Sequence, residues 1–297
     1  MVKDTSASSV ILDIVIYVVL ILLMIVTLYP IIYILSVSLS SQAAYEAGEV
    51  VLWPIGINLE AYKEVLTGGT VPLSFLQAVI NTVLYTVISL FMTTTLAYPL
   101  SRSKERVPFH GLITKLIVFT MFFSAGMIPT YLIVQKVGLL NTRWALIIPV
   151  AITTYNLVVM RSFFESVPVE LEEAAFIDGA NEITIFAKII LPLSKAALAT
   201  VGLFYAVSQW NQWFNAMLYL SDRVSELYPL QYIIRQIIME NQIAAEAAAA
   251  GELTQVQTST VQLKYATLFV SIVPMLCVYP FIQKYFVKGV MVGSVKG

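Results

Sequence analysis

The chain has 297 residues, of which 59% are hydrophobic and only 12% charged. Soluble domains carry about 25% charged residues, so a water-soluble globule is excluded and length here counts membrane spans. The formal net charge of -1 offers no basic surface for nucleic acid, and the lone Cys277 can build neither a disulfide nor a paired-cysteine metal site.

A bilayer core of about 30 Å takes roughly 20 apolar residues as a helix. Six runs approach that length, so an all-α membrane protein with six transmembrane helices is expected. After an N-terminal segment, residues 1–10, the first span covers 11–37. Its apolar run far exceeds the roughly 7–15 residues of a signal-peptide core, which makes it an uncleaved span. A turn-rich loop over 39–72 follows, anchored by Trp53, Pro54, Gly56 and Tyr62. Spans two to four are expected at 75–100, 112–134 and 144–160, the last being the shortest. The single His110, just after a basic loop, reads as an interfacial residue, since a metal centre needs several convergent ligands. No catalytic or metal-ligating set is expected.

A polar segment, 161–194, precedes span five at 196–220. Within it, Pro168 sits where a helix can start, and Glu170, Glu172 and Glu173 fall in a first turn that favours negative charge. Ala174 and Ala175 present almost no side chain. After Asp178, Gly179 can take the left-handed conformation that ends a helix and turns the chain. A second short helix is expected from Asn181 to Ile190, with Pro192 punctuating the junction with span five. The product is a helix-turn-helix lying flat on the membrane, with a compact face for a partner's groove.

The loop 221–262 holds Tyr228-Pro229-Leu230-Gln231 and an apolar-periodic stretch through Ile233, Ile234, Ile237 and Ile238. A helix-favouring alanine run, Ala244 to Ala250, comes next. Both long loops read either as partly ordered surfaces for an external partner or as tethers over the helix ends. Span six is expected at 265–286. Lys and Arg placement sets the orientation. Arg102, Lys104 and Arg106 follow span two, Arg161, Lys188 and Lys195 flank the polar segment, and Lys284, Lys288 and Lys296 lie at the C-terminal end. With alternating spans these share one side, which puts both termini and segment 161–194 in the cytoplasm.

Two polar patches lie at membrane depth. One is Thr153, Thr154, Tyr155 and Asn156; the other is Trp210, Asn211, Gln212, Trp213 and Asn215. Amide groups facing lipid are costly, and aromatic faces beside amides suit a sugar. Thr153, Tyr155, Asn156, Trp210, Asn211, Trp213 and Asn215 are therefore candidates for a substrate pathway. An aromatic belt with helix–helix hydrogen bonding explains the same residues. Pro129, Pro149, Pro274 and Pro280 lie in or beside spans and would kink them.

Glu173-Ala174-Ala175, Gly179 and Ile189-Ile190-Leu191-Pro192 resemble the coupling loop of permease subunits of binding-protein-dependent ABC importers. Met121 to Tyr131, Gly138-Leu139-Leu140-Asn141-Thr142, Trp210 to Asn215, Tyr279 to Gly289 and the closing Gly293 to Gly297 are similar to its carbohydrate-uptake branch. Ala125 departs from that branch, where a second glycine would precede Met127. The resemblance implies a type I importer permease of a bacterial inner membrane, paired with a second permease chain. Two ATPase subunits would use ATP and Mg, and an extracytoplasmic solute-binding protein would deliver an oligosaccharide, moved by alternating access. Glu170, Glu172, Glu173, Ala174, Ala175, Asp178, Gly179 and Pro192 would make the ATPase-coupling surface, with Glu173 pairing a basic residue of the partner. The chain itself has no phosphate loop of the G-x-x-x-x-G-K-[ST] kind, so no cofactor is expected on it.

Arg143, Arg223 and Arg235, outside the membrane, would suit an acidic oligosaccharide such as an alginate or pectin fragment. The competing class is an ion-coupled secondary transporter, which usually carries ionisable residues within its spans. Here the spans are nearly free of Asp and Glu, with Asp13 at a span end. An intramembrane enzyme would need clustered His, Glu or Ser/Lys pairs, which the spans lack.

Overall fold

The computed structural model describes residues 7–102, 106–249 and 261–294. Residues 1–6, Lys104, Ala250, Lys296 and the end of the closing stretch, all named above, lie outside the described residues. The helices in chain order are α1 Ala7–Ser38, α2 Gln42–Glu46, α3 Glu60–Thr67, α4 Thr70–Leu100, α5 His110–Phe122, α6 Met127–Lys136 and α7 Thr154–Glu165. There follow α8 Glu170–Ile177, α9 Glu182–Ile185, α10 Leu191–Leu193, α11 Lys195–Trp210, α12 Phe214–Tyr219, α13 Leu230–Ala249 and α14 Val261–Ser294. No strand occurs among the described residues. Three stretches, Ser8–Ser38, Thr70–Leu100 and Val261–Val278, are each long and apolar enough to cross a membrane unbroken.

The other expected spans are broken. The run 112–134 is not one rod: α5 and α6 meet at a 120° bend. Gly126 at φ 86° supplies a conformation most residues avoid, and its N–H is taken by Ser124 Oγ at 3.3 Å. Pro129 then falls in the first turn of α6, where a missing donor costs nothing. The run 144–160 begins as two 3-10 turns, Arg143–Leu146 and Ile148–Val150, and bends by 54° into α7, which continues to Glu165. The run 196–220 divides at Asn211–Trp213 into α11 and α12.

Contacts divide the chain into two compact units. The first comprises Met1–Pro72 and Gln236–Val273. In it α1 is apolar and exposed over most of its length, as suits a lipid-facing helix, and becomes buried only at its end, at Ser36, Val37 and Ser38. The loop 39–72 is folded. Ser36 Oγ donates to Leu52 O at 2.6 Å, the Ser38 and Tyr62 hydroxyls meet at 2.7 Å, and Ser40 Oγ accepts from Ile55 N at 3.0 Å. Gly56 sits at φ 65° with a would-be Cβ 2.8 Å from Ser41 Oγ, so only glycine fits there.

The second unit comprises Leu73–Arg235 and Pro274–Gly297. Its core gathers Tyr85, Tyr98, Ile147, Leu157, Met160, Phe164, Ile185, Ile190, Val201 and Tyr205. Polar bonds thread this core: Tyr85 OH donates to Val150 O at 2.8 Å, and the Thr93 and Tyr205 hydroxyls meet at 2.7 Å. Gly202 on α11 lets that helix close on α4, where a Cβ would lie 3.1 Å from Leu90 Cδ1.

Candidate functional site

The polar segment folds as two short helices joined by a glycine turn. Pro168 lies just ahead of α8, and its carbonyl accepts from Leu171 N at 3.3 Å. At the other end Gly179 takes φ 83°. Ala180 N reaches Ala175 O at 2.9 Å and Gly179 N reaches Phe176 O at 3.0 Å, the paired bonds of a Schellman stop. Asn181 then caps α9, its side-chain oxygen accepting from Thr184 N at 2.8 Å. A π turn, Phe186–Ile190, follows and leads into α10. Pro192 has no N–H for the carbonyl four residues back, which disrupts the regular ladder there. The segment bends by 81° into α11.

The candidate coupling residues part into two sets. Glu170, Glu173, Ala174, Asp178, Gly179 and Pro192 are exposed. Glu172 and Ala175 turn inward, with Glu172 fully buried and Ala175 only 9% exposed. The reason is helical spacing: positions three apart share a face, and that face packs on the chain's own core. Glu172 Oε1 lies 2.5 Å from Arg102 Nη2, and its Oε2 lies 3.6 Å from Arg106. Burial pushes the Glu172 carboxyl above the usual carboxylate range, while the two guanidiniums pull it back down. Arg102 stacks over the Tyr98 ring at 4.8 Å and Arg106 over Phe176 at 5.3 Å. Tyr98 OH donates to Glu182 Oε2 at 2.7 Å. An open cleft of about 400 Å³ lies beside this cluster, lined by Tyr98, Arg102, Arg106, Pro108, Glu182 and Phe186 among others.

Two apolar side chains that sequence reasoning passed over stand out on the exposed side. Ile177 is 87% exposed and Ile183 78%. They flank the glycine turn, and an isoleucine on each side of it is the signal that was available. His110 is buried, with Nε2 3.0 Å from Leu100 O.

The two membrane-depth patches are not alike. Thr153 is half-buried with its N–H 3.4 Å from Tyr205 OH, Asn156 is buried, and Tyr155 is exposed with its ring 6.3 Å from Phe204. In the second patch much of the polarity closes the helix break. Asn211 Nδ2 donates to Val207 O at 2.8 Å, and Gln212 Oε1 accepts from Phe214 N and Asn215 N at 3.2 and 3.4 Å. Trp210 is buried edge-on to Phe75 at 5.8 Å, and Arg235 lies over the Trp213 ring at 4.4 Å. Arg143 donates to Gln77 Oε1 at 2.6 Å, and no carboxylate pairs with it among the described residues.

The family of binding-protein-dependent transport system inner membrane components matches residues 70–292, which include the whole segment just described. The chain belongs to that family. It is thus a permease of a binding-protein-dependent ABC importer, which replaces the ion-coupled alternative, and the family is one of transport components rather than enzymes. The permease is 42% identical to Protein LplC of Bacillus subtilis (strain 168), over 92% of this chain and 90% of the relative. It is 40% identical to the polygalacturonan/rhamnogalacturonan transport system permease protein YtcP of the same organism, over 96% and 98%. A solved bacterial ABC transporter involved in the import of the acidic polysaccharide alginate matches with a TM-score of 0.85 and 37% identity, covering 96% of this chain and 99% of that one.

Proposed function

We propose that this permease moves an acidic oligosaccharide, of the polyuronate kind, across the bacterial inner membrane by alternating access. A solute-binding protein delivers the sugar at the outer face. A second permease chain completes the pathway, and two separate ATPase subunits supply ATP and Mg chemistry. The observation that carries this reading is end-to-end similarity to two transport proteins whose named cargoes are uronate-bearing polysaccharides, polygalacturonan/rhamnogalacturonan and alginate. Arg143, free of a carboxylate partner among the described residues, supports an anionic cargo. Stacking of Arg235 on Trp213 adds a cation on an aromatic face.

The ATPases dock on the exposed side of α8 and α9. Ile177 and Ile183 fill an apolar pocket of the partner, Ala174 lets the surfaces close, and Glu173 meets a basic residue. Both termini and this segment are cytoplasmic, in line with the lysines and arginines around it. Copurification of the assembled complex tests the docking. Ala174→Arg should abolish ATPase capture by bulk, and undiminished capture would sink it. Stimulation of ATP hydrolysis by oligogalacturonate or oligoalginate, with the binding protein and against maltotriose, tests the cargo. Equal stimulation by the neutral sugar would remove the polyuronate reading.

A further inference from the structure

Resting on that docking reading, we propose that Glu172 is a positioning residue. Through Arg102 it fastens α8 to the cytoplasmic end of α4, so that movement of α8 driven by the ATPase is handed to α4 directly.

Glu172 has no exposed surface, so it is not available to a docking partner. Its two arginines come from this same chain, just beyond the end of α4 at Leu100. A buried ion pair is a poor source of stability, because well-packed apolar residues of similar volume often do as well or better. What such a pair supplies is a directional tie that holds only in one register. A second tie repeats the link: Glu182 at the start of α9 accepts from Tyr98 on the last turn of α4. Rings reinforce it, with Phe186 5.0 Å and Phe164 6.4 Å from Tyr98.

The covalent route from this segment into the membrane is built differently. It passes through the π turn Phe186–Ile190 and an 81° bend into α11. Such breaks lack ladder hydrogen bonds that an unbroken helix keeps, so they tie the two segments together less firmly. α4, by contrast, runs on as one helix, with Pro99 only in its last turn, and is bonded deeper in the core at Tyr85 and Thr93. The stiff path from the docking surface therefore leads into α4.

The test uses the assembled complex with Cys277→Ser and spin labels at Leu171 and Val87, exposed positions on α8 and α4 that are not among the docking side chains. Between nucleotide-free and ATP-vanadate states the label distance should change by less than about 2 Å, the scale of a small helix shift. In Glu172→Gln or Arg102→Ala it should shift by more than this or split into two populations, with ATPase capture unchanged. ATP hydrolysis stimulated by the binding protein should then fall about fivefold or more. A larger distance change in the unsubstituted pair overturns the proposal, as do undisturbed readouts in Glu172→Gln. Loss of ATPase capture in Glu172→Gln also overturns it, by assigning the residue to docking or to the fold. The Ala174→Arg complex separates the two claims. Lost capture there beside normal Glu172→Gln readouts removes the tie alone, whereas retained capture removes the docking beneath it.

Discussion

α1 and α4 are apolar helices whose membrane-spanning stretches have the same 31-residue length, yet they occupy opposite environments. None of the apolar window of α1 is buried, against 28% of that of α4. The difference lies in their few polar side chains. Thr27 on α1 turns its hydroxyl back to its own helix, donating to Leu23 O at 2.8 Å. Thr93 on α4 is fully buried and bonds Tyr205 of another helix. Ser74, Gln77, Asn81, Tyr85, Ser89 and Thr93 are all buried and form one stripe along α4. In a membrane, where lipid is as apolar as leucine, polar and small residues rather than hydrophobicity decide which helix is inside.

The sharpest way to break this contrast is to obstruct the close approach that α4 enjoys. Gly202→Leu on α11 would drive a side chain into Leu90, and overpacking of this kind costs about 1–3 kcal/mol. The purified chain in mixed detergent should unfold at distinctly lower SDS, and an unchanged midpoint would mean that the two helices are not held this tightly. Removing the interhelical hydroxyl pair should cost less. Thr93→Val is expected to lower stability by about 0.6–1.7 kcal/mol, the range for side-chain hydrogen bonds between membrane helices. Thr27→Val on α1, measured the same way, should do nearly nothing because its bond is local. Equal losses at the two threonines would erase the distinction.

How far the sequence discloses this arrangement depends on range. The apolar runs, the left-handed Gly179 and the cap at Asn181 follow from local chemistry, and each is visible in a few neighbouring residues. The stripe from Ser74 to Thr93 is also written at helical spacing, though total apolar content hides it. The bend after Phe122 is harder to read, because Gly126 permits it without demanding it. Hardest is the candidate site itself. Glu170, Glu172 and Glu173 look equivalent along the chain, and what separates them is Arg102, brought in by α4 from far upstream. The amides at 211–215 carry two readings at once. They suit a wet cavity, and several of their groups also close helix ends a few residues away.

The smallest expected effect probes α1 most stringently. Leu20 is 53% exposed at mid-helix, with apolar neighbours on every side. Truncating it exchanges one lipid-facing surface for another, so neither a transfer term nor a cavity term arises within the chain. Leu20→Ala should leave the SDS midpoint of the purified chain within about 0.5 kcal/mol of its parent, as for surface substitutions generally. The same substitution measured in the assembled importer asks a second question. A loss confined to the assembly would show that another subunit covers α1 there, and its exposure would then belong to the isolated chain. A loss in the chain alone would show that α1 packs on its own protein, and its difference from α4 would be one of degree.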